Sequence, residues 1–260
     1  MTVYIIGAGP GDPKLLTLRA AELIARCPLV LYTGSLVPRE TIALAAPGAL
    51  VRDSSDMTLD AIVQLMADYH ARGADVARVH TGDPSLFGST AEQMRRLRAL
   101  GIAYEIVPGV SSFTAAAAAL GKELTLPELS QTVILSRAEG RTPMPERERL
   151  ASLAEHRATL CLFLSIGLLK RVVPELMPAY GADCPVAVVH KASCPEQRIV
   201  LGTLADIAER VREAGIHSQS MVIVGEVLTA EDFADSRLYD PGFTHRFRRA
   251  DKPGPARSEP

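Results

Sequence analysis

Three glycine-containing strings hold the residues whose types and spacing point to chemistry: Gly7-Ala-Gly-Pro-Gly-Asp12, Thr81-Gly-Asp-Pro-Ser-Leu-Phe-Gly88 and Ile106-Val-Pro-Gly-Val-Ser-Ser112. Gly, Pro and Asp packed into short turns give rigid loops whose backbone N–H and C=O groups point outward, which suits ligand binding by the main chain. The first string invites a dinucleotide reading and fits it poorly. Its third Gly comes one position early for G-x-G-x-x-G, Pro10 removes an N–H, and the run ending at Tyr32 carries no acid for a ribose hydroxyl. His70, His80, His156, His190, His217 and His245 show no metal-binding spacing, so no metal site is expected. There is no G-x-S-x-G elbow, and Ser111 and Ser112 stand where a helix start ordinarily recruits serine.

The elements around these strings alternate. Val3–Ile6, Leu29–Tyr32, Leu50–Arg52, Val76–His80 and Tyr104–Val107 are short apolar or β-branched runs, each followed by helical spacing. That order predicts an α/β fold with a parallel sheet, and it puts each glycine-containing string at a strand's carboxyl end, where such folds place their ligands. Asp12-Pro13 reads as the cap and first residue of a helix that buries Leu15, Leu18, Ala21, Leu23 and Ala25. Further helices are expected from Thr58 to Gly73, from Thr90, as cap, to Gly101, and through the small residues 111–120. Leu124–Pro127 reads as a linker into a second half with strands at Thr132–Ser136, Thr159–Ser165, Val186–His190, Gln197–Leu201 and Met221–Glu226. The expected organisation is an N-terminal α/β domain over 1–122, a C-terminal α/β domain over 123–240 and a disordered tail over 241–260.

Composition sets the outer bounds. With 260 residues, 47% hydrophobic and 22% charged, the chain has the material for one or two packed cores. A net charge of -2 with interspersed signs disfavours a nucleic-acid partner. No apolar run reaches the roughly 20 residues of a membrane span, so no membrane partner is expected and cytoplasmic localisation is the default. Cys27, Cys161, Cys184 and Cys194 lack C-x-x-C spacing, and free thiols are expected.

Taken together, Ile5-Ile-Gly-Ala-Gly-Pro-Gly-Asp12, Thr81-Gly-Asp-Pro84 with Leu86, and Val107-Pro-Gly-Val-Ser111 resemble the tetrapyrrole (corrin and porphyrin) methylases. The likeness continues through Thr159–Ser165 and Val188–Arg198, so it covers about residues 1 to 240. It implies two α/β domains with S-adenosylmethionine in the cleft between them, S-adenosylhomocysteine as product, a tetrapyrrole substrate and a homodimer. Carried over position by position, the cofactor residues are Pro10, Thr81, Gly82, Asp83, Leu86, Ser111, Ser112, Leu164 and Ala192. Tyr32-Thr-Gly-Ser-Leu-Val37 and Arg52–Asp60 look like the branch that methylates C11 of precorrin-4 in cobalamin synthesis, although Phe87 stands where that branch commonly has Tyr. Asp83 is the candidate catalytic residue, orienting the macrocycle or else capping its own turn. Tyr32, Ser35, Ser54 and Met57 are expected to line the substrate trough, and Arg52, Arg137 and Lys191 to meet substrate carboxylates, with Arg141 as a further anion contact. Open alternatives are another ring position, a cobalt-containing substrate and a macromolecular methyl acceptor.

Overall fold

The computed structural model describes residues 1–250, the side chain of Ser35 excepted. The chain divides into two compact units: Met1–Gly121 with Val188–Val200 and Val211–Met221, and Lys122–Ala187 with Leu201–Arg210 and the residues from Val222 onward.

The first unit is built on β1 (Val3–Gly7), α1 (Leu18–Arg26), β2 (Leu29–Tyr32), α2 (Arg39–Ile42), β3 (Leu50–Asp53), α3 (Leu59–Ala71), β4 (Val76–His80), α4 (Ala91–Ala99), β5 (Tyr104–Val107) and α5 (Ser112–Leu120). The five strands pair in the order β3-β2-β4-β1-β5, and the registers of β1 with β4 and β5, and of β2 with β3 and β4, are parallel. The three inner strands β2, β4 and β1 are buried along nearly their whole length, as parallel strands covered on both faces are, while the edge strands β3 and β5 are partly exposed. Strand alternation divides the core in two: Tyr4, Ile6, Val30, Ala77 and Val79 pack with Ala20, Leu23 and Ile24 of α1, whereas Val3, Leu29, Leu31 and Val76 pack with Ile62, Val63 and Met66 of α3 and Leu97 of α4. The loops after β1, β4 and β5 thereby emerge side by side at one edge.

Local chemistry moved one expected boundary and redirected one expected cap. Asp12 does accept from Lys14 N, but it caps only the 3-10 turn Pro13–Leu15; α1 begins at Leu18 because Thr17 caps it through Ala20 N. The buried face is consequently Ala20, Leu23 and Ile24, while Leu18, expected inside, is 85% exposed. Thr90 sits at the N-cap position of α4 without capping it, and its hydroxyl instead donates to Pro84 O at 3.0 Å, within the preceding loop.

The later strands are β6 (Val133–Arg137), β7 (Thr159–Phe163), β8 (Pro185–His190), β9 (Arg198–Thr203) and β10 (Ser220–Val224), with α6 (Leu150–Ala154), α7 (Leu169–Tyr180) and α8 (Ile207–Glu213). They form a second sheet in the order β6-β7-β10-β8-β9, with β6 and β7 parallel and β7 and β10 antiparallel. The stretch read as a linker is anchored rather than loose: Leu124 and Leu126 are buried, and Leu124 O accepts from Thr159 Oγ1 at 2.8 Å. Of the tail expected to be disordered, residues 241–250 include a bridge between His245 and Arg248, whose guanidinium donates to Leu238 O and Asp240 O; residues 251–260 lie outside the described residues.

Candidate active site

The three glycine-containing loops of the first unit are joined backbone to backbone. Gly9 and Gly82 exchange hydrogen bonds, Gly82 N to Gly9 O at 2.8 Å and Gly9 N to Gly82 O at 3.2 Å. A Cβ on Gly7 would lie 2.6 Å from Gly82 O and 2.7 Å from Gly109 Cα, and one on Gly109 would lie 2.2 Å from Gly82 O. Only hydrogen fits at these points, which is why glycine recurs at the ends of β1 and β5. Gly82 adds a φ of +63°, open to glycine at little cost.

Asp83 completes this junction. Its Oδ1 accepts from Ser85 N and from the Ser85 hydroxyl, and its Oδ2 accepts from Gly109 N at 2.9 Å. Burial pushes its pKa up, but the hydrogen bonds from Ser85 and the Gly109 amide outweigh burial and hold it below the usual carboxylate value. The carboxylate therefore ties the β4 loop to the β5 loop.

Pro10, Thr81, Gly82, Asp83, Leu86, Ser111 and Ser112 all lie on these joined loops, and Ser112 N is 4.0 Å from where a Gly82 Cβ would stand. Ser111 is buried at the start of α5 yet makes no side-chain cap bond. Ala192 reaches the same place from a turn held in unusual backbone geometry, φ 47° at Lys191 and 68° at Ser193. The Ser193 hydroxyl accepts from Asp12 N at 3.0 Å, and a Cβ on Gly11 would meet Cys194 Sγ at 2.3 Å and Ala192 O at 3.2 Å. Leu164 belongs to the second unit. It follows β7 with φ 53° and is 71% exposed, an apolar side chain held out in a conformation few leucines adopt.

The expected substrate residues form a second group beside β4. Ser54 is buried, and its hydroxyl donates to Tyr32 O at 2.9 Å and accepts from Arg78 Nη1 at 2.9 Å, so it ties segments together instead of facing a ligand freely. Met57 N bonds Ser54 O at 3.1 Å, which sets Met57 beside this link. Ser35 falls in the turn Gly34–Leu36, and its side chain lies outside the described residues. The cations expected to meet carboxylates are already engaged: Arg52 with Asp56, Arg137 with the carbonyls of Ala138, Thr142 and Pro143, and Lys191 with Glu196. Arg141 is exposed on the loop after β6.

Two ionisable residues escaped notice as site residues, Arg78 and His80, both on the face of β4 that meets α3 and α4 and each only 2% exposed. Their signal was an Arg and a His two apart in a strand otherwise reading as core. Burial, then the neighbouring Arg78 charge, drives the His80 pKa down to about 3 against a hydrogen bond with the Gly88 backbone that favours the proton, and the buried Nε2 has no hydrogen-bond partner among the described residues. The unfolded chain binds this proton below about pH 6.5 while the folded chain refuses it until about pH 3, so stability is intact above 6.5 and falls with acidification across that window. About 2 kcal/mol should be lost between pH 7 and pH 5 on this account. Urea titrations at the two pH values should show that His80→Gln removes this part of the slope; an equal slope in the variant would contradict the burial of a neutral imidazole.

Among the described residues no cluster of three His, Cys, Asp or Glu could hold a metal ion. The loop after β1 does not lead into a helix N-terminus, since α1 starts only at Leu18, so the arrangement for cradling a diphosphate is not built here. What is built is a lining of main chain, hydroxyls and small or apolar side chains, which fits an adenosyl thioether without phosphates.

A parallel sheet with three loops joined through glycine at its carboxyl edge, in a chain that carries a second five-stranded sheet, defines a class. The chain belongs to the tetrapyrrole (corrin/porphyrin) methylases, whose family model matches residues 2–208. It is 54% identical, over 95% of its length and 99% of the relative's, to the precorrin-4 C(11)-methyltransferase of Pseudomonas aeruginosa. Among solved structures it is similar to a cobalamin biosynthetic enzyme, the cobalt precorrin-4 methyltransferase CbiF, with TM-score 0.86 and 48% identity, covering 88% of this chain and 96% of that one. It also resembles uroporphyrin-III C-methyl transferase from Thermus thermophilus complexed with S-adenosyl homocysteine, with TM-score 0.72 and 32% identity over 88% and 99% of the two chains.

Proposed function

We propose that this protein transfers a methyl group from S-adenosylmethionine to C11 of precorrin-4 in cobalamin biosynthesis. The observation that carries the reading is the near-full-length similarity to precorrin-4 C(11)-methyltransferase, joined to a site made of the loops after β1, β4 and β5. Pro10, Thr81, Gly82, Leu86, Ser111, Ser112 and Ala192 would hold the cofactor through main-chain and hydroxyl contacts. When bound, the cofactor supplies an electrophilic methyl on sulfonium and a neutral thioether leaving group. The protein's part is alignment more than strong base catalysis, because the acceptor is an electron-rich ring carbon.

Asp83 acts in this reading chiefly by fixing the shape of the loop, since three donors already occupy its carboxylate. Tyr32, Ser54 and Met57 shape the acceptor side, and the enzyme works as a cytoplasmic homodimer. A cobalt-containing acceptor is the second reading, favoured by the 48% identity to the solved cobalt precorrin-4 enzyme. The test is incubation with methyl-labelled S-adenosylmethionine and each acceptor, metal-free and cobalt-containing, with the new methyl located by NMR.

A further inference from the structure

Arg78 is a buried guanidinium with a wide reach. Nε donates to Gln93 Oε1 at 2.9 Å, and Nη1 donates to Ser54 Oγ at 2.9 Å and to Leu31 O at 3.2 Å. Gln93 in turn donates from Nε2 to Ser89 O at 2.8 Å, at the end of the loop that follows β4. Ser54 donates to Tyr32 O, and Ser54 O accepts from Met57 N. One side chain therefore ties the loop carrying Thr81 to Leu86 to the segments after β2 and β3.

These acceptors are all neutral, and among the described residues no carboxylate accepts a hydrogen bond from Arg78; Asp53 acts on it only through space. Burial lowers its pKa to about 10, so the group stays charged at neutral pH. A buried charge without a paired carboxylate is a poor stabilising device, because its neutral acceptors offset only part of the cost of taking it out of water. What it supplies instead is geometry, because a planar fork fixes the directions of several bonds at once. A lysine, with a single rotatable point charge, cannot hold Gln93, Ser54 and Leu31 O in the same arrangement.

We propose that Arg78 is a positioning residue for methyl transfer, holding the acceptor-facing segments around Tyr32, Ser54 and Met57 in register with the cofactor loop after β4. This rests on the methyltransfer reading above. Its effect is on placement of the acceptor carbon, where a displacement of about an ångström costs roughly a hundredfold in rate.

The test uses the full chain with Arg78→Met, Arg78→Lys and Gln93→Leu, measuring melting temperature, S-adenosylhomocysteine affinity by calorimetry, kcat, KM and the methylated ring position. Arg78→Met should bind S-adenosylhomocysteine within about threefold of wild type while kcat falls about a hundredfold, with Arg78→Lys failing to rescue it and Gln93→Leu losing about tenfold. A folded Arg78→Met with kcat within threefold of wild type overturns the proposal, as does a parallel collapse of cofactor affinity, which would mark a purely structural role. If Arg78→Met does not fold, Gln93→Leu decides: unchanged kcat overturns the proposal, and reduced kcat with retained cofactor affinity supports it. Wild type on the same acceptor reports the methyltransfer reading independently, since the proposal concerns only the ratio of variant to wild type.

Discussion

Gly109→Ala should abolish measurable S-adenosylhomocysteine binding and lower the unfolding free energy by about 3 kcal/mol, the upper part of the range for overpacking a filled site. The added Cβ would lie 2.2 Å from Gly82 O, 2.8 Å from Gly7 Cα and 2.9 Å from Gly7 C. All three are backbone atoms, so no side chain can swing aside, and relief requires the three loops to separate. Separation breaks the Gly9–Gly82 exchange and the Asp83–Gly109 bond together. Gly167→Ala is the control, since a Cβ there meets nothing within 4 Å and φ is not in the left-handed region; it should change stability by less than about 0.5 kcal/mol. Urea unfolding and calorimetry on both variants check this, and Gly109→Ala binding within threefold of wild type would contradict the joined-loop site.

Asp83→Ala should weaken S-adenosylhomocysteine binding at least tenfold and reduce turnover with it. Removing the carboxylate leaves the part-buried Gly109 N without its acceptor, at a cost of about 1 kcal/mol, and frees the exposed Ser85 N to water, so the tie between the two loops is lost. Because the folded-state pKa is lowered, the carboxylate's contribution is present above the unfolded value near 4 and is lost as pH falls through the folded one. Acid titration therefore separates it from His80, whose effect lies between about 3 and 6.5. Calorimetry in which Asp83→Ala keeps wild-type cofactor affinity but loses turnover would assign Asp83 to the macrocycle instead.

Much of this was legible in the chain because buried parallel strands announce themselves as apolar runs, and their carboxyl-end turns as Gly, Pro and Asp. All five strands of the first sheet lie within one residue of where the sequence puts them. Positions set by long-range partners were not legible. Ser54 looks like a free hydroxyl on a loop until Arg78, 24 residues away, is seen to bond it. Thr90 looks like a cap until the fold brings Pro84 O to its hydroxyl. The onset of α1 was missed because the starting signal at Asp12-Pro13 is satisfied by a single 3-10 turn, which leaves Thr17 to cap the helix. Leu164 gave no hint of its left-handed backbone, since branched apolar residues are not expected there.

The central claim is the acceptor and its position, and one measurement addresses it directly: NMR of the product formed from precorrin-4 and methyl-labelled S-adenosylmethionine, with uroporphyrinogen III as the competing acceptor. The account predicts a single new methyl at C11 and no labelled product from uroporphyrinogen III. A new methyl at C2, C7, C17 or C20 would contradict it.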